Sequence, residues 1–405
     1  VKNLCLICRG GKRLCGKILC PIELKARLFV KNMNIINKKE FIGSSPPSVF
    51  VGRVGYPKVY IGPMVPPIIG NTSIMDMPES WINESLDNII NYRYILIRGE
   101  IPYYVDLARK SDRIIESLQE LSMGISSVDT EIQLAKEPLK IIKIDDNSQI
   151  FGPSAPLRNF HIYSIRVDRK IEKAYYDWDL KAQDAIFQLY KNNVPISRIQ
   201  KAFSMGVFGI SKNRKLVPTR WSITAVDSII SKKLIEEIKD YDTIDNYYLF
   251  YRNYMYNKFI AIFMPMKWSF EWIEVWFPNT FWNKEGREPV IMGDYEGYSG
   301  RTSYPEIGGC YFATRLAITE YLSKIKRQAT VLVIREILPQ FPLPLGVWFV
   351  RENIREMLKS KPLIFDNINS IFLHLNKLMD IKNKDIIENS KIIRDLLFQR
   401  RIDKL

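Results

Sequence analysis

Four cysteines, Cys5, Cys8, Cys15 and Cys20, fall in one short N-terminal segment as C-x2-C-x6-C-x4-C, while Cys310 stands alone. Thiolates at this spacing suit a tetrahedral Zn²⁺ site with metal–sulfur bonds near ~2.3 Å. Gly10, Gly11 and Gly16 let the backbone turn tightly around such an ion. Four protein ligands leave no open coordination position, so the zinc is expected to be structural. Arg9, Lys12, Arg13 and Lys17 interleave with the cysteines and offset the negative charge of a zinc–thiolate centre. The Cys20-Pro21 pair also matches the ending of bacterial ferredoxin motifs, which keeps an iron–sulfur cluster as the alternative, although the spacings as a set differ. A disulfide framework does not suit a chain whose remaining sequence offers only one further cysteine.

Charge supplies the second chemistry. Lys and Arg total 59 against 44 Asp and Glu, a formal net charge of +15. Residues 1 to 60 carry twelve basic and two acidic side chains, and residues 191 to 220 carry seven basic and none acidic. Such clustering points to a polyanionic partner, because each phosphate neutralised releases condensed counterions. The candidate contacts, besides the cations among the cysteines, are Arg53 and Lys58 in a Gly- and Pro-rich stretch and Lys212, Arg214 and Lys215 in the central one. Arg220 and Trp221 follow, either as a phosphate-binding guanidinium beside a base-stacking ring at a positive helix end, or as a stacked surface pair.

Catalytic chemistry is thinly represented. Only His161 and His374 are present, so no Ser-His-Asp relay is legible. Glu288, Asp294, Glu296 and Glu306 lie in a Gly-rich stretch and offer oxygens for Mg²⁺ without a ligand pattern. The chain therefore leans away from an enzyme.

These residues need elements to position them. With 46% hydrophobic and 25% charged residues the chain is expected to fold, and its length suits two or three domains. Residues 41 to 67 read as two strands cut by Gly and Pro. Further strands are expected over Glu131–Ile144, Phe160–Val167, Phe259–Phe263, Trp272–Trp276, Ala329–Leu338 and Gly346–Val350, the aromatic ones packing inward. Helices are expected over Tyr104–Met123, Ala174–Tyr190 and Tyr311–Arg327, and from Arg351 onward with a break at Lys361-Pro362. On the second of these, Tyr175, Trp178, Ala182, Ala185, Ile186 and Leu189 share a face directed to the core. A capping pattern, Thr224 with Asp227, starts another helix running to about Lys239. The reading is an α+β protein with mixed sheets and a small N-terminal zinc module. No apolar run approaches the ~20 residues of a membrane span, so a cytoplasmic location is expected.

Three segments are particular enough to compare with known families: the cysteine motif ending in Pro21, Gly43-Ser-Ser-Pro-Pro-Ser-Val-Phe-Val-Gly-Arg-Val-Gly-Tyr-Pro-Lys58, and Leu216-Val-Pro-Thr-Arg-Trp-Ser-Ile-Thr-Ala-Val-Asp227. Together they resemble the archaeal Nre DNA repair proteins. The resemblance implies an N-terminal region bearing the cysteine motif and a smaller C-terminal region, divided here as residues 1–40, 41–285 and 286–405. It also implies a role in DNA repair and recruitment by the sliding clamp through a C-terminal peptide. Gln399, Ile402 and Leu405 keep that peptide's spacing but lack its two aromatic residues; the alternative is a basic helix end. The combined expectation is a zinc-stabilised DNA-binding repair factor, with DNA favoured over RNA. An RNA-binding or ribosome-associated zinc protein and a metal-dependent nucleic-acid-processing enzyme are the alternatives.

Overall fold

The computed structural model describes residues 38–110, 112–139, 148–284, 286–341 and 343–398, together with Leu14. Cys5, Cys8, Cys15 and Cys20, the cations interleaved with them, and Gln399, Ile402 and Leu405 lie outside the described residues, and with them the expected zinc module and clamp peptide. The described chain is α+β, with two mixed six-stranded sheets and eleven helices. It divides into two compact units at Ile230/Ser231, inside the helix Thr219–Ile238.

The first unit holds β1 (Glu40–Ser45), β2 (Val49–Val51), β3 (Lys58–Val65), β4 (Ile97–Tyr104), β5 (Val128–Leu134) and β6 (Ser154–Ile162) in the order β1-β5-β6-β4-β3-β2. Only β4 and β6 run parallel. Three strands replace the two expected between residues 41 and 67, because Pro46 and Pro47 lack the N–H a continuous strand would need. The turn is held by its serines: the Ser45 hydroxyl donates to the Met64 carbonyl at 2.9 Å and accepts from the Ser48 N–H at 3.3 Å. Val65, Ile97, Ile132, Leu134, Ala155 and Leu157 form a core cluster on this sheet. The helix expected over Tyr104–Met123 is a short 3-10 turn, Val105–Arg109, and a helix, Arg113–Met123, whose first N–H groups are capped by Asp112. The helix expected over Ala174–Tyr190 is likewise two helices, Arg169–Tyr176 and Ala182–Lys191, and Trp178 lies in the break between them.

The second unit holds β7 (Tyr247–Tyr254), β8 (Asn257–Met264), β9 (Ser269–Trp276), β10 (Val290–Glu296), β11 (Thr330–Ile337) and β12 (Leu363–Phe365) in the order β10-β9-β11-β8-β7-β12. Every residue of β11 is buried, as a central strand with covered faces requires. The helix Cys310–Ile325 lies in the connection between β9 and its parallel partner β11. The division at residue 285 drawn from the resemblance falls within this sheet: β9 and β10 pair from Trp276–Val290 to Phe270–Glu296, so a hydrogen-bonded ladder crosses it. Gly346–Val350 opens a helix, Val347–Met357, and is not a strand, because a short apolar run fits a fully buried helix as well as a strand. The helices of the C-terminal segment are anchored on buried carboxylates of the sheet. Glu271 accepts from the Ser390 hydroxyl and from the Lys391 and Ile392 N–H groups, and Glu336 accepts from the Asp380 and Ile381 N–H groups. No helix among the described residues is long and apolar enough to cross a membrane.

Candidate nucleic-acid interface

Two of the segments that carry the resemblance meet in the first unit. The β2–β3 hairpin closes with Gly52 N–H on the Tyr60 carbonyl at 2.7 Å and Lys58 N–H on the Gly55 carbonyl at 3.0 Å. Gly55 supplies the positive φ of that tip, which leaves Tyr56 48% exposed. At the base of the hairpin the Val51 N–H donates to the Thr219 hydroxyl at 3.0 Å, tying it to the start of the helix Thr219–Ile238. That helix begins at Thr219 and not at Thr224, since the Pro218 carbonyl already accepts from Trp221 and Ser222. Thr224 lies within it, its hydroxyl on the Trp221 carbonyl, and Asp227 is buried beside Gln200.

The strip before this helix is fixed by a glycine. The helix Ile196–Ser204 ends in a Schellman arrangement, with Gly206 N–H on Phe203 and Val207 N–H on Ala202. Gly206 has φ +66°, and a Cβ there would lie 2.7 Å from the Lys215 carbonyl oxygen. Only glycine lets residues 211–218 pass this close, where they are held by Leu216 N–H on Val105 and Val217 N–H on Ser204.

The result is a groove of 560 Å³, within the ~300–1,000 Å³ of small-molecule clefts. Tyr56, Lys181, Phe203, Phe208, Lys215 and Trp221 are among its lining residues. Phe203 and Phe208 stack at 5.9 Å, and Trp221, 43% exposed, packs against Tyr56 at 5.2 Å and 51°. Two helices of ten and twenty residues begin at this wall, one at Ala182 after Lys181 and one at Thr219 after Pro218, so two partially positive backbone ends converge on it. Lys181 and Lys215 are exposed, as is Lys212 on the adjoining turn, and none has a carboxylate within ion-pair distance among the described residues. Trp178, 69% exposed, is held nearby through its carbonyl, which accepts from the Ser211 N–H at 2.8 Å.

The central basic stretch thus separates into cations that face solvent and cations used within the unit. Arg214 is a correction: its side chain turns inward, with Nε on the Gly209 carbonyl at 2.8 Å and Nη2 on the Tyr175 and Asp177 carbonyls at 2.8 and 3.1 Å. Burial lowers its pKa, with Tyr175 and Asp177 opposing. It builds the groove and does not offer a free fork to phosphate. Arg198 pairs with Asp168 at 3.4 Å and donates to the Ile125 carbonyl. Lys201 lies 3.3 Å from the buried Asp76 carboxylate, which also receives Arg93 and the Ser48 hydroxyl. Burial pushes Asp76 upward, but Lys201, Arg93 and Ser48 together hold it below the ordinary aspartate pKa. The 20 Å³ cavity lined by this cluster is sized for a single water. Arg53 and Arg220 are half-buried, and Lys58 is exposed with Nζ 5.6 Å from the centre of the Tyr104 ring.

Sequence reasoning missed Tyr56, Lys181, Phe203 and Phe208, and placed Trp178 in the core. The flanking Asp177 and Asp179 are the only local sign that Trp178 faces outward.

The acidic stretch does not assemble a metal site. Asp294 accepts from Arg301 at 2.9 Å and from the Ile307 N–H at 2.8 Å, and Glu296 is buried in an ion pair with Arg315 at 2.6 Å. Both belong to β10, where their charge is met by arginine, while Glu288 and Glu306 are exposed. No group of three His, Cys, Asp or Glu side chains placed to hold a metal ion occurs among the described residues. Among the described residues Glu288, Asp294, Glu296 and Glu306 therefore do not come together as one ligand set.

Residues 14–283 match the family profile described as Archaeal Nre, N-terminal, and residues 296–405 that described as Archaeal Nre, C-terminal. The chain is 43% identical over 391 residues to DNA repair protein NreB of Archaeoglobus fulgidus, covering 96% of this chain and 97% of that one. It is 39% identical over 366 residues to DNA repair protein NreA of the same organism, with 90% and 91% covered. Against DNA repair protein NreA of Haloferax volcanii it is 32% identical over 330 residues, with 79% and 78% covered. No solved structure matches.

Proposed function

This chain belongs to the archaeal Nre family, and from that membership we propose that it is a DNA repair protein that holds DNA in the aromatic and basic groove of its first unit. The observation that carries the reading is the convergence on one groove of two helix N-termini, exposed lysines with no acidic partner among the described residues, and exposed rings. Helix ends and lysines supply the sequence-independent attraction to phosphate, and rings supply contact with bases. Lys181, Lys212, Lys215 and Lys58 are the contacts best placed to titrate phosphates; Trp221 and Tyr56 are the rings.

The test is anisotropy of labelled DNA across a salt series. The slope of log K against log[salt] is expected to be negative, near −0.9 per phosphate contacted on a duplex or about −0.7 on a single strand, and to flatten when Lys212 and Lys215 become Glu. An unchanged slope and affinity in that variant would show these lysines to be a solvated surface. Competition by RNA of the same sequence decides between polymers: displacement as efficient as by DNA would favour the RNA-binding reading.

Two parts of the reading rest on residues outside the described ones. Cys5, Cys8, Cys15 and Cys20 are the ligands for one structural zinc per chain, checked by metal analysis of protein purified without chelator; iron with visible charge-transfer absorption would assign the cluster alternative. Gln399, Ile402 and Leu405 are the residues for clamp recruitment. Deletion of residues 399–405 is expected to abolish binding of the clamp in calorimetry while leaving DNA affinity intact.

A further inference from the structure

We propose that the groove and the strand face beside it take unpaired DNA, a single strand with its bases exposed, in preference to closed duplex. This rests on the DNA-binding reading above and adds to it the form of the DNA.

The argument starts from rings that face solvent. Besides Trp178, Trp221 and Tyr56, the exposed side chains of the β3–β4 pair include Tyr60 and Tyr104, half of each ring's residue being accessible. Strand periodicity puts Lys58 and Tyr60 on one face of β3. The register sets Lys58 opposite Tyr104 and Tyr60 opposite Pro102, with Pro102 and Tyr104 also exposed. The Lys58 ammonium stands over the Tyr104 ring. The β2–β3 turn then carries the series to Tyr56, which packs on Trp221 at the groove. Rings and cations are therefore interspersed, with Tyr60, Tyr104 and Lys58 on the strand face and Tyr56, Trp221 and Lys215 at the groove.

A closed duplex gains little from such a surface. Its bases are stacked on one another and show only their edges, so phosphate contacts from lysines and helix ends would be sufficient to bind it. Rings become useful when base faces are free, where each base stacked on an aromatic side chain contributes on the order of 1–3 kcal/mol whatever its identity. The same rings would be a liability on a surface that never meets an apolar face. The stacked Phe203 and Phe208 give the groove an apolar wall as well as a charged rim. The geometry assigns bases to Trp221, Tyr56 and the β3–β4 rings, and phosphates to Lys58, Lys181, Lys215 and the two helix N-termini.

The test uses the full chain with a fluorescent single-stranded oligothymidylate and a hairpin duplex of equal phosphate count at one salt concentration. The single strand is expected to bind at least about tenfold more tightly and to quench tryptophan emission. Trp221→Ala and Tyr56→Ala should each weaken single-strand binding by about 5- to 140-fold, the value of one stack at ~1.4 kcal/mol per decade. The salt slope should not move, since a ring releases no counterions. Trp221→Phe should recover most of the loss. If Trp221→Ala does not fold, Tyr60→Ala on the exposed face of β3 serves instead. Equal binding of duplex, or ring variants with unaltered affinity, overturns this inference while leaving the DNA-binding reading standing through the lysine slope. Absence of salt-sensitive binding to either DNA overturns both.

Discussion

The eight tryptophans meet opposite fates in the two units. In the second unit Trp268, Trp272, Trp276, Trp282 and Trp348 are all buried, three of them on or next to β9, the strand beside the central β11. In the first unit Trp81 is buried, but Trp178 and Trp221 stay open, one in the break before a helix and the other on a helix's first turn. The charged groups divide in the same way. The second unit buries Glu296 against Arg315 and Glu274 against Arg335, and uses Glu271 to receive the N-terminus of the last helix and Glu336 to receive the link between the two helices before it. The first unit buries a cluster around Asp76 and pairs the buried Arg98 with Glu100, but leaves lysines open above the groove. In the second unit the tryptophans and these carboxylates are spent on cohesion. In the first unit Trp178, Trp221 and the groove lysines stay exposed, close to where two helices begin.

The largest effect that sharpens this contrast comes from exchanging a tryptophan in each unit. Trp272→Ala should cost about 3–5 kcal/mol of unfolding free energy in urea, because it empties a closed core. Trp221→Ala should stay within about 1 kcal/mol while losing DNA affinity. Equal destabilisation by the two would break the distinction.

Next come the adjacent cations Arg214 and Lys215. Arg214→Ala removes charged donors from three carbonyls and should lower stability by about 1.5–3 kcal/mol, whereas Lys215→Ala should remain within about 0.5 kcal/mol. In the salt titration the order should reverse. Lys215→Ala should reduce the slope by about 0.7 on a single strand if it meets one phosphate.

The smallest effects are those of pH, and they have opposite sign in the two units. Asp76 is held below its ordinary pKa, so the stability it contributes is present above the usual aspartate range and is lost as pH falls through its lower folded value. Burial pushes Glu271 and Glu336 upward, against the N–H groups that pull them down. Their folded forms hold a proton more tightly than the unfolded chain does, so their contribution weakens as pH rises from the ordinary glutamate range through the raised values. Amide hydrogen exchange followed by mass spectrometry from neutral pH into acid should therefore show the sheet under the C-terminal helices gaining protection as pH falls through the raised glutamate values, a gain complete at the ordinary glutamate range near ~4.3. Amides around Asp76 should lose protection only at lower pH. Asp76→Asn should flatten the acid loss and Glu271→Gln the neutral-side decline; profiles of the same sign in both units would refute the assignment.

Local chemistry and periodicity made several elements legible from the residues alone. Apolar runs mark β8 and β11, and the aromatic and β-branched residues around Glu274 mark β9, because strands covered on both faces carry little alternation to be mistaken. The helix expected at Tyr311–Arg327 is found at Cys310–Ile325 for a similar reason, its apolar residues recurring over four turns. Three short segments marked the family. Which charges and rings stay exposed depends on contacts made by distant parts of the chain. Lys212, Arg214 and Lys215 read alike along the chain, yet Arg214 is drawn inward by carbonyls contributed from residues 175, 177 and 209. Trp178 fits a helical core face until the chain breaks at Asp177, and Trp221 becomes a groove ring only when Val51 bonds Thr219 and Leu216 bonds Val105. Those hydrogen bonds join residues more than a hundred positions apart, and no local propensity encodes them.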